Sequence, residues 1–429
     1  MEGQKIFMSQ RQLQKLEVMG LVEVGKITLK EGAEKIGMSY RQTKRIRKRV
    51  QEKGGKGLIH GNTGNPSNHR MKEGIKAKVL HLSRKVYGEF NDQHFTEKLA
   101  EEEGIEVSRE TVRMIRRAAG IGPKRKRRGK KHRKRRERRA QEGWMVLWDG
   151  SPHPWFGPDL PPCCLMAALD DATGSILAAR FFVFEGTEGY LWLLWQIVTQ
   201  YGIPISIYQD RHGSLKRNDD HWTLEEELAG RQEPTQVGQA LRTLGIQPIF
   251  ALSPQAKGRI ERLFATLQDR LGAELHLAKV TTLPQGNDLL PAFIRRFNHR
   301  FAVAPRQSEQ AWRSVPKTLD VDRVISFHYP TKVGLDNTVR LGDLLLDIPP
   351  GPLGRSYAKA RVEVRQFLNG SWKVYYQDRL ISKHPSTALQ EPIRALRRNR
   401  SPAPALGAES HNWVYQASAQ PIYDKPFGS

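Results

Sequence analysis

Three carboxylates stand where side chains can do chemistry: Asp149, Asp210 and Glu261. Asp149 closes the apolar run Trp144-Met145-Val146-Leu147-Trp148, which reads as a buried strand. Asp210 closes Ile205-Ser206-Ile207-Tyr208-Gln209 in the same way. Glu261 lies in Lys257-Gly258-Arg259-Ile260-Glu261-Arg262-Leu263-Phe264, the opening of a long amphipathic helix. Two acids at strand ends and a third on a helix can converge at the edge of a sheet. An all-oxygen set of this kind suits Mg²⁺, with Mn²⁺ able to substitute, because hard cations take hard ligands and keep positions for water and phosphate. Two ions about 4 Å apart would activate a water or a DNA 3′-hydroxyl and stabilise the leaving oxygen of a phosphodiester. Singly, each acid has an ordinary structural reading, as a turn residue after a strand or as half of a surface ion pair. The chain also offers other acids: Asp170 and Asp171 open the turn Asp-Asp-Ala-Thr-Gly, and Asp219, Asp220 and Glu225 to Glu227 lie in a polar insertion.

The elements that must position the trio follow the order strand, strand, strand, helix, strand, helix, strand, helix. The opening strands are Trp144 to Asp149, Cys164 to Asp170 and Ser175 to Val183. A Leu- and Trp-rich helix from Glu188 to Tyr201 follows, and Gly202-Ile203-Pro204 returns the chain to the strand ending at Asp210. That order is the order of an α/β ribonuclease-H-like fold, whose first and fourth strands lie side by side and would bring Asp149 to Asp210. Glu261 follows Asp210 by 51 positions, a spacing widened by the polar stretch Leu215 to Pro234. Glu261 thereby stays after the strand Pro248 to Leu252. Were the insertion to supply a ligand instead, Glu225 or Asp220 would compete.

The wording around the acids resembles a known family. Asp149-Gly150-Ser151-Pro152-His153 with Trp155-Phe156 is similar to the first-aspartate motif of the ISNCY-type insertion-sequence transposases. Leu169-Asp170-Asp171-Ala172-Thr173-Gly174 resembles their following hairpin, and Asp210-Arg211-His212 their second-aspartate motif. Ser253-Pro254-Gln255-Ala256-Lys257-Gly258-Arg259, with Glu261-Arg262 and Thr266-Leu267-Gln268-Asp269-Arg270-Leu271, resembles the third. These are DDE transposases with a retroviral-integrase type of catalytic core, and the likeness is close over residues 144 to 304 and looser on the flanks. It implies cleavage at the terminal inverted repeats of an insertion sequence and transfer of the freed 3′ ends into target DNA. Spacing alone indicates only a metal-dependent phosphoryl-transfer site.

Composition points the same way. The net charge is +25 over 429 residues, which calls for acidic partners, nucleic acid foremost. No apolar run approaches the ~20 residues of a membrane span, and the start of the chain lacks a signal peptide's layout. Cys163 and Cys164 are adjacent and point to opposite faces of a strand, so they neither staple the fold nor build a zinc site. A reducing bacterial cytoplasm is the expected home, with the protein on the nucleoid when it holds DNA.

A chain of this length holds several units. Residues 1–53 read as a helix-turn-helix module: Ser9 opens a helix, Thr28 to Ile36 forms a second, Gly37 turns, and Ser39 caps a basic third helix. On that helix Arg41, Gln42 and Arg45 are the expected base contacts, with Lys44 and Arg47 also on DNA and Lys48 and Arg49 on phosphates. Residues 54–70 form a linker. The theme returns over 71–122, with Val79, Leu82, Val86, Phe95 and Leu99 inward and Arg109, Thr111 and Arg113 toward DNA from a helix capped by Ser108. Residues 123–143 form a basic linker. Within it Pro123 to Arg139 carries 13 Lys and Arg against Glu137 alone, a phosphate-gripping strap that includes Lys124, Arg125, Lys126, Arg127 and Arg128.

The catalytic core spans 144–305, with the polar insertion at 214–235. Inside it Lys257 and Arg259 are expected on DNA phosphates and His212 near the scissile strand, while His153 is structural and Trp155 and Phe156 pack in the core. Leu289 to Phe301 reads as a basic amphipathic helix, and 306–330 as a linker. From Thr331 the period changes to two, and 331–385 reads as a small SH3-like β-barrel with a hairpin at Asn369-Gly370, akin to the domain after the core in retroviral integrases. Residues 386–429 form a tail in which Trp413, Tyr415, Tyr423 and Phe427 could anchor on a second subunit. Double-stranded DNA is the expected partner, both element ends and target. Joining two ends in concert requires at least a dimer on DNA. Two competing functions are a DNA-binding regulator with an inactive integrase-like core, and a structure-selective nuclease.

Overall fold

The computed structural model describes residues 8–60, 71–124, 136–217, 222, 224–230, 232–251 and 258–389, and leaves the side chains of Glu225 and Ala229 undescribed. The chain divides into two compact units, residues 1–78 and 79–429.

The first unit is helical: α1 (Gln10–Glu23), α2 (Leu29–Lys35) and α3 (Tyr40–Lys53). Local sequence fixes each start. Ser9 and Thr28 sit in capping boxes with Gln12 and Glu31, and the Ser39 hydroxyl accepts from Gln42 N. Gly37 turns the chain at φ +63°, which a residue without Cβ adopts freely. On α3 Thr43, Ile46 and Val50 are buried at helical spacing against Val18, Met19 and Val22 of α1. The start of the glycine-rich stretch expected to be a linker is ordered instead. Gly54–Leu58 forms a 3-10 turn, and a Cβ on Gly57 would meet the Arg49 carbonyl oxygen at 2.2 Å.

α4 (Glu73–Lys85), α5 (Asp92–Glu101) and α6 (Arg109–Ala118) follow. Val79, Leu82, Phe95, Leu99, Val112 and Ile115 form their core, whereas Val86, expected inward, is 42% exposed one residue past the end of α4. Arg116 is buried and bonds the Phe90 carbonyl and Asp92.

The central sheet is built from β1 (Met145–His153), β2 (Cys163–Asp170), β3 (Ile176–Phe182), β4 (Ser206–Gln209) and β5 (Gln247–Phe250). Their spatial order is β3-β2-β1-β4-β5, with β1, β2 and β3 antiparallel and β1, β4 and β5 parallel. α7 (Thr187–Gln200) and α9 (Gln236–Thr243) cover one face. α10 (Gly258–Leu277) and α11 (Leu283–Phe301) cover the other. This mixed sheet between helices fits a ribonuclease-H-like core, and the expected neighbours β1 and β4 are paired. Alternation sorts the faces: Val146 and Trp148 pack with Tyr190 and Leu194 of α7, while Met145 and Leu147 pack with Leu263 and Leu267 of α10. The two cysteines divide likewise, Cys164 to the α7 side and Cys163 to the α10 side, both free. Trp155 and Phe156 are core residues, packed against Phe181.

Within the insertion lies α8 (Leu224–Ala229), where buried Glu226 pairs with Arg217. Asp219 and Asp220 lie outside the described residues, as does the Glu225 side chain.

The stretch expected to be a linker after the core is pinned to it. Arg313 exchanges backbone bonds with Ile203, and its guanidinium donates to the carbonyls of Pro204, Leu244 and Gly245. α12 (Val321–Val324) leads into β6 (Phe327–Lys332), a strand that begins inside that stretch because Phe327 and Tyr329 alternate inward. Next come β7 (Thr338–Leu341), β8 (Leu344–Asp347), β9 (Arg361–Gln366), β10 (Trp372–Tyr376) and β11 (Arg379–His384). They form a four-stranded sheet ordered β11-β10-β9-β6 and a separate β7-β8 ribbon. Asn369-Gly370 makes the β9-β10 turn as expected, with Gly370 at φ +82°. The aromatic tail residues lie outside the described residues.

Candidate active site

The β1-β4 register places the two aspartates together. Met145, Val146 and Leu147 pair with Ser206, Ile207 and Tyr208, so Asp149 and Asp210 fall at equivalent positions two residues beyond the last pair. Parallel neighbours run ~4.8 Å apart, which sets the separation of the two backbones. One residue earlier the pairing is read directly, because Trp148 Nε1 donates to Gln209 Oε1 at 3.1 Å. The Asp210 carboxylate caps its own loop by accepting from His212 N at 2.8 Å, and His212 Nδ1 accepts from Ser214 N at 3.3 Å.

A glutamate–tyrosine pair that the sequence does not mark lies near the aspartates on the α7 side. Tyr190, fully buried, donates its hydroxyl to Glu185 Oε1 at 2.5 Å. Burial first, then the charge of Glu185 and its hydrogen bond, then Asp149 and Asp210, hold the Tyr190 phenol well above its usual range. Burial, followed by Glu185, pushes the Cys164 thiol up to about 12. Gly150 leaves the space Glu185 fills, for a Cβ there would lie 2.6 Å from Glu185 Oε2. Nothing in periodicity marks Glu185, which stands between β3 and α7; only the glycine after Asp149 hinted at a close neighbour.

Glu261 rides on the first turn of α10 and is exposed. Two anchors lay that helix along β1: Arg259 donates to Asp171, whose own N–H bonds the Met145 carbonyl, and Gln268 Nε2 donates to Ser151 Oγ at 3.3 Å. Residues seven apart share a helical stripe, so Glu261 lies on the stripe of Gln268, above the face carrying Met145, Leu147, Asp149 and Ser151. Among the described residues, no three His, Cys, Asp or Glu side chains stand close enough together to hold a metal ion. The structure therefore pairs the aspartates and lays the glutamate's helix over their strand, without drawing the three carboxylates into one cluster. In donor chemistry they fit a hard divalent cation.

The other expected contacts are placed as follows. Arg41, Gln42, Lys44 and Arg45 are exposed on α3, and Arg47 is half-buried. On α6 Arg109 and Arg113 are exposed, Arg113 paired with Glu110, while Thr111 is half-buried at the Ser108 cap. Lys124 is held by Asp269, at 3.2 Å to Oδ1. Arg259 is mostly buried in its pair with Asp171, and it also donates to the Arg136 carbonyl. His153 stands edge-on to Trp155. Lys257, Arg125, Lys126, Arg127 and Arg128 lie outside the described residues.

No family model matches the chain. Two curated relatives do. A putative transposase y4bF of Sinorhizobium fredii is 37% identical over 319 residues, covering 74% of this chain and 68% of the relative. The transposase for insertion sequence IS1202 of Streptococcus pneumoniae is 34% identical over 326 residues, covering 66% and 67%. Among solved structures, a simian T-cell lymphotropic virus intasome in complex with a PP2A regulatory subunit matches at 13% identity and TM-score 0.29, over 72% of this chain and all of that one. The magnesium complex of the HTLV-2 integrase catalytic core matches at 13% identity and TM-score 0.27, over 40% and 99%. The fold is a mixed α/β core with an aspartate after each of two paired parallel strands. By its relatives, the chain belongs to the insertion-sequence transposase family. Among the described residues no helix is long and apolar enough to cross a membrane.

Proposed function

We propose that the protein cleaves the 3′ ends of its own insertion sequence and joins them to target DNA, with Asp149, Asp210 and Glu261 as the catalytic and metal-binding acids. The observation that carries this reading is the β1-β4 register that sets Asp149 beside Asp210. A pair of Mg²⁺ or Mn²⁺ ions bound there would supply an activated water or 3′-hydroxyl and neutralise the leaving oxygen. The chain's own part is to hold the carboxylates and the scissile strand in line. His212, fixed beside Asp210 by the loop bonds, positions that strand. Lys257 contacts a phosphate on the approach to α10.

Recognition of the terminal inverted repeats falls to α3 and α6, whose outward residues Arg41, Gln42, Lys44, Arg45, Arg109 and Arg113 offer bidentate donors to base edges and phosphates. The basic run ending at Arg139 grips the intervening backbone. Concerted joining uses at least a homodimer on DNA. Duplex DNA carrying the sequence that flanks the coding region serves as substrate. Asp149→Asn, Asp210→Asn and Glu261→Gln each abolish cleavage and joining while retaining affinity within about threefold. Joining by all three variants would leave a DNA-binding protein with another chemistry or none.

A further inference from the structure

The Asp170-Asp171 turn, which resembles a family hairpin and takes no part in the proposed chemistry, is the docking point for two distant segments. Asp171 is fully buried, yet it accepts four donors. Arg136 reaches it through Nη2 at 2.5 Å and Nη1 at 3.1 Å, Arg139 through its backbone N–H at 2.8 Å, and Arg259 through Nη1. Arg259 Nη2 also donates to the Arg136 carbonyl at 2.6 Å. Arg138 grips the same turn through the Ala172 carbonyl at 3.1 Å. One buried carboxylate thus ties the end of the basic run to the second residue of α10, two positions before Glu261.

Three features separate this from an incidental ion pair. Arg259 is only 15% exposed, so its guanidinium is spent on the protein. Helical geometry turns residues two apart by about 200°, so Arg259 and Glu261 lie on opposite flanks of the buried face of α10, and the Asp171 anchor does not engage the Glu261 carboxylate. Asp171 is itself fixed to β1, its N–H donating to the Met145 carbonyl, so the anchor at the start of α10 is tied to the strand that carries Asp149.

We propose that Asp171 is a positioning residue for Glu261, acting through Arg259, and that Arg136 registers the basic run on the same anchor. This rests on the reading of Glu261 as a catalytic acid. It replaces the expectation that Arg259 binds a DNA phosphate.

The test uses the full-length protein and a duplex carrying the flanking DNA of its own coding sequence. Arg259→Gln and Asp171→Asn slow 3′-end cleavage roughly 100-fold at saturating DNA, the scale of a small misplacement of a reacting group. KM for the duplex stays unchanged, and so does the slope of log affinity against log salt. Without metal or DNA, amide hydrogen exchange speeds up in residues 258–264 and not across β1. Arg259→Lys, which keeps one charged donor, recovers part of the rate. Arg259→Gln leaves Asp171 bonded to Arg136 and Arg139, so it carries the test should Asp171→Asn fail to fold. A salt slope lowered by about 1 in Arg259→Gln would make it a phosphate contact and overturn the proposal. Wild-type cleavage with unchanged exchange would overturn it too. Glu261→Gln run alongside separates the failures: if that variant is active, the reading of Glu261 falls and the positioning role with it. If it is dead while Arg259→Gln is normal, only the positioning role falls.

Discussion

Trp148 and Gln209 are joined side chain to side chain across β1 and β4, one residue ahead of Asp149 and Asp210. Both are buried, at 0% and 1% exposure, so the bond acts as a register pin between the strands that carry the acids. Gln209→Leu leaves the Trp148 indole N–H buried without its acceptor. The expected cost is about 1–3 kcal/mol, seen as a lower midpoint in urea at unchanged slope. Cleavage falls as well, because the pin sets the spacing of the aspartates. Stability and cleavage both at wild-type levels would show that the strands hold their register without it.

Gly150 and Glu185 make a second test. Gly150→Ala puts a methyl group 2.6 Å from a carboxylate oxygen of Glu185 and displaces it from its bond with Tyr190. Tyr190→Phe removes that bond without adding bulk. Both variants are expected to keep DNA affinity and to lose cleavage, Gly150→Ala by more. Equal and normal cleavage in the two would mark Glu185 as a bystander to the aspartates beside it.

A buried charge network fastens α5 to α10 and α11, and it sets a pH response. His94 Nε2 lies 3.1 Å from Glu274, Lys98 approaches the same carboxylate, and Arg270 bonds Glu97. Arg296 pairs with Glu274, and Arg300 with Glu97 and Glu101. Burial first, and Arg270 after it, hold the His94 imidazole below its ordinary 6.5, against the upward pull of Glu274. Burial would raise Glu97 and Glu274, but Arg270 acting on the one and His94 on the other, with the lysine and arginine charges around them, leave both below 4.5. A group with a depressed folded pKa contributes stability above its unfolded pKa and loses it as pH falls. The thermal midpoint should therefore begin to drop as pH falls below about 6.5, where His94 would protonate in the unfolded chain, and drop further below about 4.5. His94→Gln should flatten the first part of that fall and leave the second. An identical profile in the variant would place the titration elsewhere.

Much of the core was legible because burial there obeys the simple periods. The runs around Val146 and Ile207 are apolar on both faces, as strands between two helical layers must be, and the polar insertion announced itself by composition. The N-caps at Ser9, Ser39 and Ser108 were visible as residue types with a known mechanism. What sequence could not show is partnership over distance. The sequence expectation for Arg259 is a DNA contact, and nothing local in it reveals the pairing with Asp171, 88 positions away. Glu185 was missed for the same reason. Phe327–Lys332 was hidden because Pro330 interrupts its pattern, although proline is tolerated in a strand at the edge of the sheet.

Counting bound Mn²⁺ on the full-length protein with its end DNA tests the shared-carboxylate site most directly. Wild-type protein is expected to bind two ions per active site, Asp149→Asn and Asp210→Asn to bind neither tightly, and Glu261→Gln to lose one. Two tightly bound ions in Glu261→Gln, or undiminished binding in either aspartate variant, would contradict a site built from these three residues.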